Sequence, residues 1–401
     1  VSHYGVSDNP GQVNTKLGNY ADSFVWREAA IIYQLNKTEI DGGFDAVKAD
    51  LFDGLKGKAS VIVLDSLGLE KSFVKDITSA GAAHEDGAYY RTQIWITEAN
   101  LDYKIANTSI VAGRQALNTP LLFTERWNTS FNTFDGAIVL NSDIPKTTLV
   151  AGWVAQHNGG AVASNRTATG FPSTTTHNGE FYGFGSSYAG GVVTDANKDL
   201  YMVGAMIKPV KGMAINLWYY DINDVLSAYW ADASYKDSGL FVGIQNSGID
   251  SDTAGADNAM VTAVKLAYTV DKLNVNISYS TTDEGNAWTG AVANFATGDK
   301  SKVYTQALFQ DGGVVGYRDT EAWKLGASYK FDGVKLISFL QNSKLDSTHK
   351  MKEGTEFDLI AVGKVGKHLN LKGIYVHRDV DMRTAADFKQ DAIRIIASVK
   401  F

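Results

Sequence analysis

The chain has no cysteine, and only 5 of its 401 residues are proline. Without thiols there is no disulfide scaffold, no thiolate zinc site and no cysteine nucleophile. Charge is sparse as well: Lys, Arg, Asp and Glu together make up 20%, and the net charge is -7. No basic cluster occurs, which argues against a nucleic-acid partner. Nor does any apolar run approach the roughly 18 residues of a membrane-spanning helix, so a helical membrane protein is excluded. What is abundant is glycine, at 39 residues, and aromatic residues, with 19 Tyr, 18 Phe and 8 Trp. A Gly-rich, aromatic-rich, Pro-poor chain suits a large β protein.

The decisive pattern is alternation with period two, which sends successive side chains to opposite faces of a strand. In residues 272–281, Leu273, Val275, Ile277 and Tyr279 share one face, and Lys272, Asn274, Asn276, Ser278 and Ser280 share the other. Residues 323–331 and 393–401 repeat the pattern. Residues 369–378 are less clean, because Ile374 and Val376 fall on the face of Asn370, Lys372 and Arg378.

A soluble sandwich hides the apolar face, whereas an outer-membrane barrel turns it toward lipid and lines a lumen with the polar face. Connection lengths separate the two. Short links at 104–107, 142–146, 208–212, 236–239, 270–272, 331–333 and 366–368 alternate along most of the chain with longer ones. The longer ones lie at about 68–88, 117–134, 158–199, 249–257, 283–319, 344–354 and 381–387. Tight periplasmic turns and long extracellular loops produce that alternation directly. The reading is an all-β transmembrane antiparallel β-barrel of 18 strands over residues 20–401, in the outer membrane of a Gram-negative bacterium. Residues 1–19 show no strand pattern and no signal-peptide pattern, and their role stays open between a plug or cap and an incomplete start.

One segment carries more than a pattern. Residues 111–152 read VAGRQALNTPLLFTERWNTSFNTFDGAIVLNSDIPKTTLVAG, and residues 217–236 read LWYYDINDVLSAYWADASYK. The order G-R-Q, T-P-L, N-T-F-D-G and D-I-P-x-T-T-L-x-A-G resembles the OprD-type outer-membrane porins, and looks closest to the major porins of campylobacter-like bacteria. The terminal Phe401 resembles the signature that barrel-assembly machinery reads. The resemblance implies a homotrimeric diffusion porin in contact with lipid and lipopolysaccharide. It also implies that the loop after the fifth strand folds inward, and that cations are mildly preferred over anions.

A barrel of this size encloses water, so function turns on what narrows the lumen and which charges line it. Pro120 cannot continue strand hydrogen bonding, so the chain leaves the wall there and 117–134 is the candidate constriction loop. Its candidate residues are Arg114, Thr119, Pro120, Glu125, Arg126 and Asp135. The alternative role for these charges is to pin the loop to the wall. Candidate pore-lining residues are Glu98, Asp102, Asp232, Lys236, Lys265, Lys324, Arg378 and Arg394. Calcium is the one metal to weigh, on Asp250, Asp252 and Asp257, although EF-hand spacing is absent and no other cofactor is implied. No nucleophile elbow or phosphate loop occurs, so the chain does not read as an enzyme. Two other classes remain open: a substrate-specific channel, and a plugged barrel that acts as an adhesin or structural protein.

Overall fold

In the computed structural model the described residues are 2–8, 30–31, 47–52, 54–64, 93–126, 131–159, 181–185, 187–189, 192–194, 196–252, 258–284, 292–298, 300–345 and 348–399. The strands are, in chain order, β1 (Ser2–Asp8), β2 (Ala30–Ile31), β3 (Val47–Phe52), β4 (Leu55–Leu64), β5 (Gln93–Ile105), β6 (Thr108–Gln115) and β7 (Phe134–Asn141). They continue with β8 (Thr147–His157), β9 (Ser187–Ala189), β10 (Val192–Thr194), β11 (Leu200–Ile207), β12 (Met213–Ile222), β13 (Leu226–Asp237) and β14 (Leu240–Ser251). The last are β15 (Ala259–Val270), β16 (Leu273–Thr282), β17 (Glu321–Lys330), β18 (Val334–Lys344), β19 (Met351–Val365), β20 (Leu369–Met382) and β21 (Phe388–Val399). A single helical turn, α1 (Gly312–Val315), interrupts the β16–β17 connection.

Among the described residues, 19 strands join in one antiparallel sheet. From β3 to β21 each strand pairs with the next, except that β9 and β10 form a separate ribbon and β8 pairs directly with β11. β1 pairs with β21 over its whole length, Ser2 opposite Ala397 and Asp8 opposite Asp391. The sequence pattern shows no strand there. Edge pairing along β21 supplies what the seven-residue segment lacks in alternation. The expected first strand, 20–35, is represented among the described residues only by β2, and 68–88 lies outside them.

The tight turns fall where the short links are expected. At Ser238 and Gly239 the backbone takes φ of 48° and 89°. Positive φ at both central residues is the hairpin geometry whose twist matches the flanking strands, and glycine adopts it freely. In the β7–β8 turn, Asp143 accepts hydrogen bonds from the amides of Asn141 and Asn107, at 2.6 and 3.0 Å. These bonds hold its carboxyl below the usual carboxylate range.

Alternation decides inside from outside. Leu273, Val275, Ile277 and Tyr279 are 36–50% exposed, while Ser278 and Ser280 on the other face are at most 2% exposed. Large exposed apolar residues recur on most strands from β5 to β21, from Ile96 and Leu101 through Leu217, Val264, Leu266 and Leu359 to Val399. So much continuous apolar surface is foreign to a water-soluble domain and is the lipid-facing wall of a membrane barrel.

The inner face is not uniformly polar. Phe134, Ile138, Val154, Leu200, Met202, Trp218, Tyr220, Trp230, Val261 and Ala263 form an apolar patch inside the wall from β7 to β15. Ile360, Ile374, Val376 and Ala392 form a second patch on β19–β21. Each is covered by chain that enters the lumen. Leu117, Leu121 and Leu122 from the β6–β7 connection pack on the first, with Val292, Ala296, Val303 and Val315 from the β16–β17 connection. Leu308 and Phe309 pack on the second. The break in alternation at Ile374 and Val376 is thus the footprint of a loop inside the barrel.

Candidate functional site: the two inward loops

The first inward loop begins where β6 ends at Gln115. Residues 117–124 fold into a small hairpin: Thr119 N–H donates to the Leu122 carbonyl at 3.0 Å, and Thr124 N–H to the Leu117 carbonyl at 2.8 Å. The Thr119 hydroxyl donates to the same Leu122 carbonyl at 2.7 Å, so this side chain shapes the turn around Pro120. The apolar tip Leu121–Leu122–Phe123 then sits on the apolar inner patch, which is why the hairpin lies down on the wall.

The second inward loop, residues 292–298 and 300–320, is the larger intruder. From Lys302 to Gln310 it is held by side chains of four strands, β14, β16, β17 and β19. Gln245 on β14 donates to the Lys302 carbonyl at 2.9 Å and accepts from Tyr304 N–H at 3.0 Å. On β16, Ser278 donates to the Tyr304 carbonyl at 3.1 Å and Ser280 bonds Thr305 at 2.6 Å. Lys324 on β17 donates to the Gln306 carbonyl at 2.5 Å. On β19, Asp358 accepts from Leu308 N–H at 3.3 Å, and Glu356 accepts from Phe309 and Gln310 N–H at 2.8 and 2.7 Å. A buried irregular segment must satisfy its backbone somewhere, and here the wall's polar side chains do it. The sequence reading takes 283–319 for an outer loop. Its polar course inside the lumen is invisible to strand periodicity.

The two loops are joined. Phe295 N–H donates to the Leu121 carbonyl at 2.9 Å. Asn294 accepts from Phe123 N–H at 3.2 Å and donates to the Phe123 carbonyl at 2.8 Å. Lys302 donates to the Asn118 side-chain oxygen at 2.8 Å, with its ammonium 5.0 Å from the Phe123 ring. Burial lowers the Lys302 amine to about 8, against an opposing pull from Asp232.

The predicted constriction residues are dispersed by this geometry. Thr119 and Glu125 are 6% and 2% exposed, so they are buried in hydrogen bonds and do not line the lumen water as constriction residues would. Pro120 is buried at the hairpin turn, and Arg126 is exposed with its guanidinium 4.3 Å from the Phe131 ring. Arg114 and Asp135 are opposite one another in the β6–β7 ladder, on the face that carries Ile110, Ala112 and Val139. They form a two-pronged ion pair at 2.8 and 2.9 Å, with Arg114 3.5 Å from the Phe181 ring. The alternation places this pair on the outward face, apart from the loop tip.

Among the predicted pore-lining residues, Glu98 is buried and paired with Lys58 at 2.7 Å. Asp102 accepts from Ser109 at 2.7 Å, and Asp232 accepts from Asn216 and the Trp230 indole at 2.9 and 2.7 Å. Lys236 lies exposed near the β13–β14 turn, and Arg394 shares the inward face with Ala392 and Ile396. Lys265 and Lys324 face inward but stand under the second loop, Lys265 5.7 Å from the Tyr304 ring. Arg378 faces inward and is fully buried, 3.8 Å from Glu356. The sequence reading names none of Glu356, Asp358, Gln245, Asn294 or Thr297. The available signal is the pair Glu356 and Asp358, two acids two residues apart on one strand face. Of the calcium candidates, Asp257 lies outside the described residues, and no cluster of three or more metal-ligating side chains occurs among those described.

No family model and no curated protein matches the sequence. Solved structures do match. Acinetobacter baumannii OccAB4 superposes with a TM-score of 0.67 at 12% identity, over 100% of this chain and 96% of that one. Pseudomonas aeruginosa OccK9 (OpdG) gives 0.66 at 13%, over 99% and 96%. Pseudomonas aeruginosa OpdK, in a structure with vanillate, gives 0.65 at 14%, over 86% of each chain. In its fold the chain is similar to these outer-membrane β-barrel proteins.

Proposed function

We propose that the chain is a porin of the Gram-negative outer membrane, passing ions and small hydrophilic solutes by diffusion past the two inward loops. The observation that carries this reading is the inverted wall: apolar outside, polar inside, with hydrogen-bonded loops in the lumen. The Occ-like fold over nearly the full chain supports it. We take the barrel to have 18 spanning strands, β1, β3 to β8 and β11 to β21. A homotrimer set among lipid and lipopolysaccharide, and a special closeness to campylobacter-type porins, stay proposals drawn from the sequence resemblance.

Two charge sets compete over selectivity. Acids at the long-loop end, Asp250 and Asp252, favour cations, in line with the resemblance. Inward lysines such as Lys330, Lys335 and Lys372 favour anions. Single-channel conductance in a planar bilayer under a salt gradient tests both points. Large open steps support the porin, and the sign of the reversal potential says which charge set prevails. A silent bilayer with a folded barrel overturns it in favour of a plugged adhesin.

A second reading, a substrate-specific channel, is favoured by the belt of fixed hydrogen bonds around Lys302–Gln310, which holds the lumen in one shape. Saturable flux of one solute separates it from general diffusion.

A further inference from the structure

We propose that Glu125 is the positioning residue that locks the two inward loops into one body, so that it sets the shape of the constriction and not its charge. The inference rests on the channel reading above. Glu125 is on the first loop, yet one of its carboxylate oxygens accepts three donors from the second: the Asn294 amide at 2.9 Å, the Thr297 hydroxyl, and Lys300 N–H at 3.3 Å. Its own N–H donates to the Asn132 side chain at 2.7 Å, and Asn132 in turn donates to the Phe123 carbonyl at 3.0 Å. One buried carboxylate thus closes a ring of bonds through both loops.

The chemistry suits a lock. Hydrogen bonds to an ionised acceptor are about twice as strong as neutral ones. The Lys300 ammonium donates to the Leu308 carbonyl and lies 4.0 Å from Asp311, and Arg126 stacks on Phe131. Three donors of the second loop meet the Glu125 carboxylate, which at 2% exposed is withdrawn from lumen water. The rest of the junction, Phe295 N–H to the Leu121 carbonyl, the Asn294 side chain to Phe123 and Lys302 to Asn118, aligns the same two segments.

Three variants separate lock from charge. E125A removes acceptor and charge, E125Q keeps a carbonyl acceptor without the charge, and T297V removes one donor with no charge change. Amide hydrogen exchange of residues 116–126 and 292–300 is read on detergent-purified protein, alongside conductance, current noise and reversal potential. Heat-modifiable gel mobility confirms that each barrel is folded. The lock predicts exchange in both segments about tenfold faster or more in E125A, the factor set by losing one hydrogen bond to a charged group. It also predicts a noisier pore in E125A and T297V, partial rescue in E125Q, and equal reversal potentials in E125A and E125Q close to the unmodified channel. Equal shifts of reversal potential in E125A and E125Q, with exchange unchanged, overturn the proposal and make Glu125 a pore charge. If the unmodified protein carries no current, the channel reading falls, but unchanged exchange in E125A still overturns the lock by itself.

Discussion

Glu356 grips Gln310: a β19 carboxylate, fully buried in the wall, accepts the Gln310 N–H at 2.7 Å and the Phe309 N–H at 2.8 Å. The Arg378 guanidinium lies 3.8 Å away on β20, also fully buried. Removing one member of a buried ion pair strands the other charge, at a cost of roughly 3–5 kcal/mol. E356A is expected to lower unfolding stability in urea by about that much, and E356Q by less. Equal midpoints and slopes for E356A and the unmodified barrel would show that Arg378 finds its compensation elsewhere.

Arg126 is the charge of the first loop that remains exposed. R126A is expected to move the reversal potential toward cation preference while leaving loop exchange unchanged. An unmoved potential would place Arg126 away from the ion path.

Lys302 lies on a connection inside the lumen, and burial lowers its amine to about 8. Below that value it is charged, and above it neutral, so raising the pH from 7 to 9 removes one positive charge beside Asn118 and Asp232. The reversal potential should therefore shift toward cations with a midpoint near pH 8, and K302M should abolish that step. A pH step that persists in K302M assigns the titration to another group.

Gly113 takes φ of 114°, and a Cβ placed on it would meet the Ala99 carbonyl oxygen at 2.4 Å. G113A is expected to cost about 1–3 kcal/mol through backbone strain and the clash with the neighbouring strand. Reduced yield of heat-modifiable barrel would register it, whereas a full yield means that β5 and β6 can part to make room.

Leu266 belongs to the outward face, at 50% exposed. L266R is expected to cost roughly 2–4 kcal/mol in folding into lipid vesicles if it sits near the midplane, and little in detergent. A negligible cost in vesicles would mean that this wall does not meet hydrocarbon.

Much of the wall was legible residue by residue. The alternation at Leu273–Tyr279, Trp323–Phe331 and Ile393–Val399 fixes strands and faces because a side chain's direction in a strand depends only on its own position. Pro120 did not mark the departure of the first loop: the chain leaves the wall earlier, where β6 ends at Gln115, and Pro120 sits in the turn of the hairpin that follows. The site was less legible. Thr119 and Glu125 read as water-facing because polarity alone does not say whether a hydrogen-bond partner arrives from far along the chain. Glu125 and Asn294 meet across 169 residues.

By itself, then, the sequence determined the β class, most of the strands and the inverted wall, since these follow from a local period of two and from the alternation of short and long links. Only the tertiary structure decided which loops enter the lumen and which inward side chains they cover. Lys324 and Arg378 share an inward face with polar neighbours in any strand reading, yet both are spent on holding the second loop or its anchor. That outcome depends on packing irregular backbone against two apolar patches and satisfying its N–H and carbonyl groups there, a long-range requirement that no local pattern encodes.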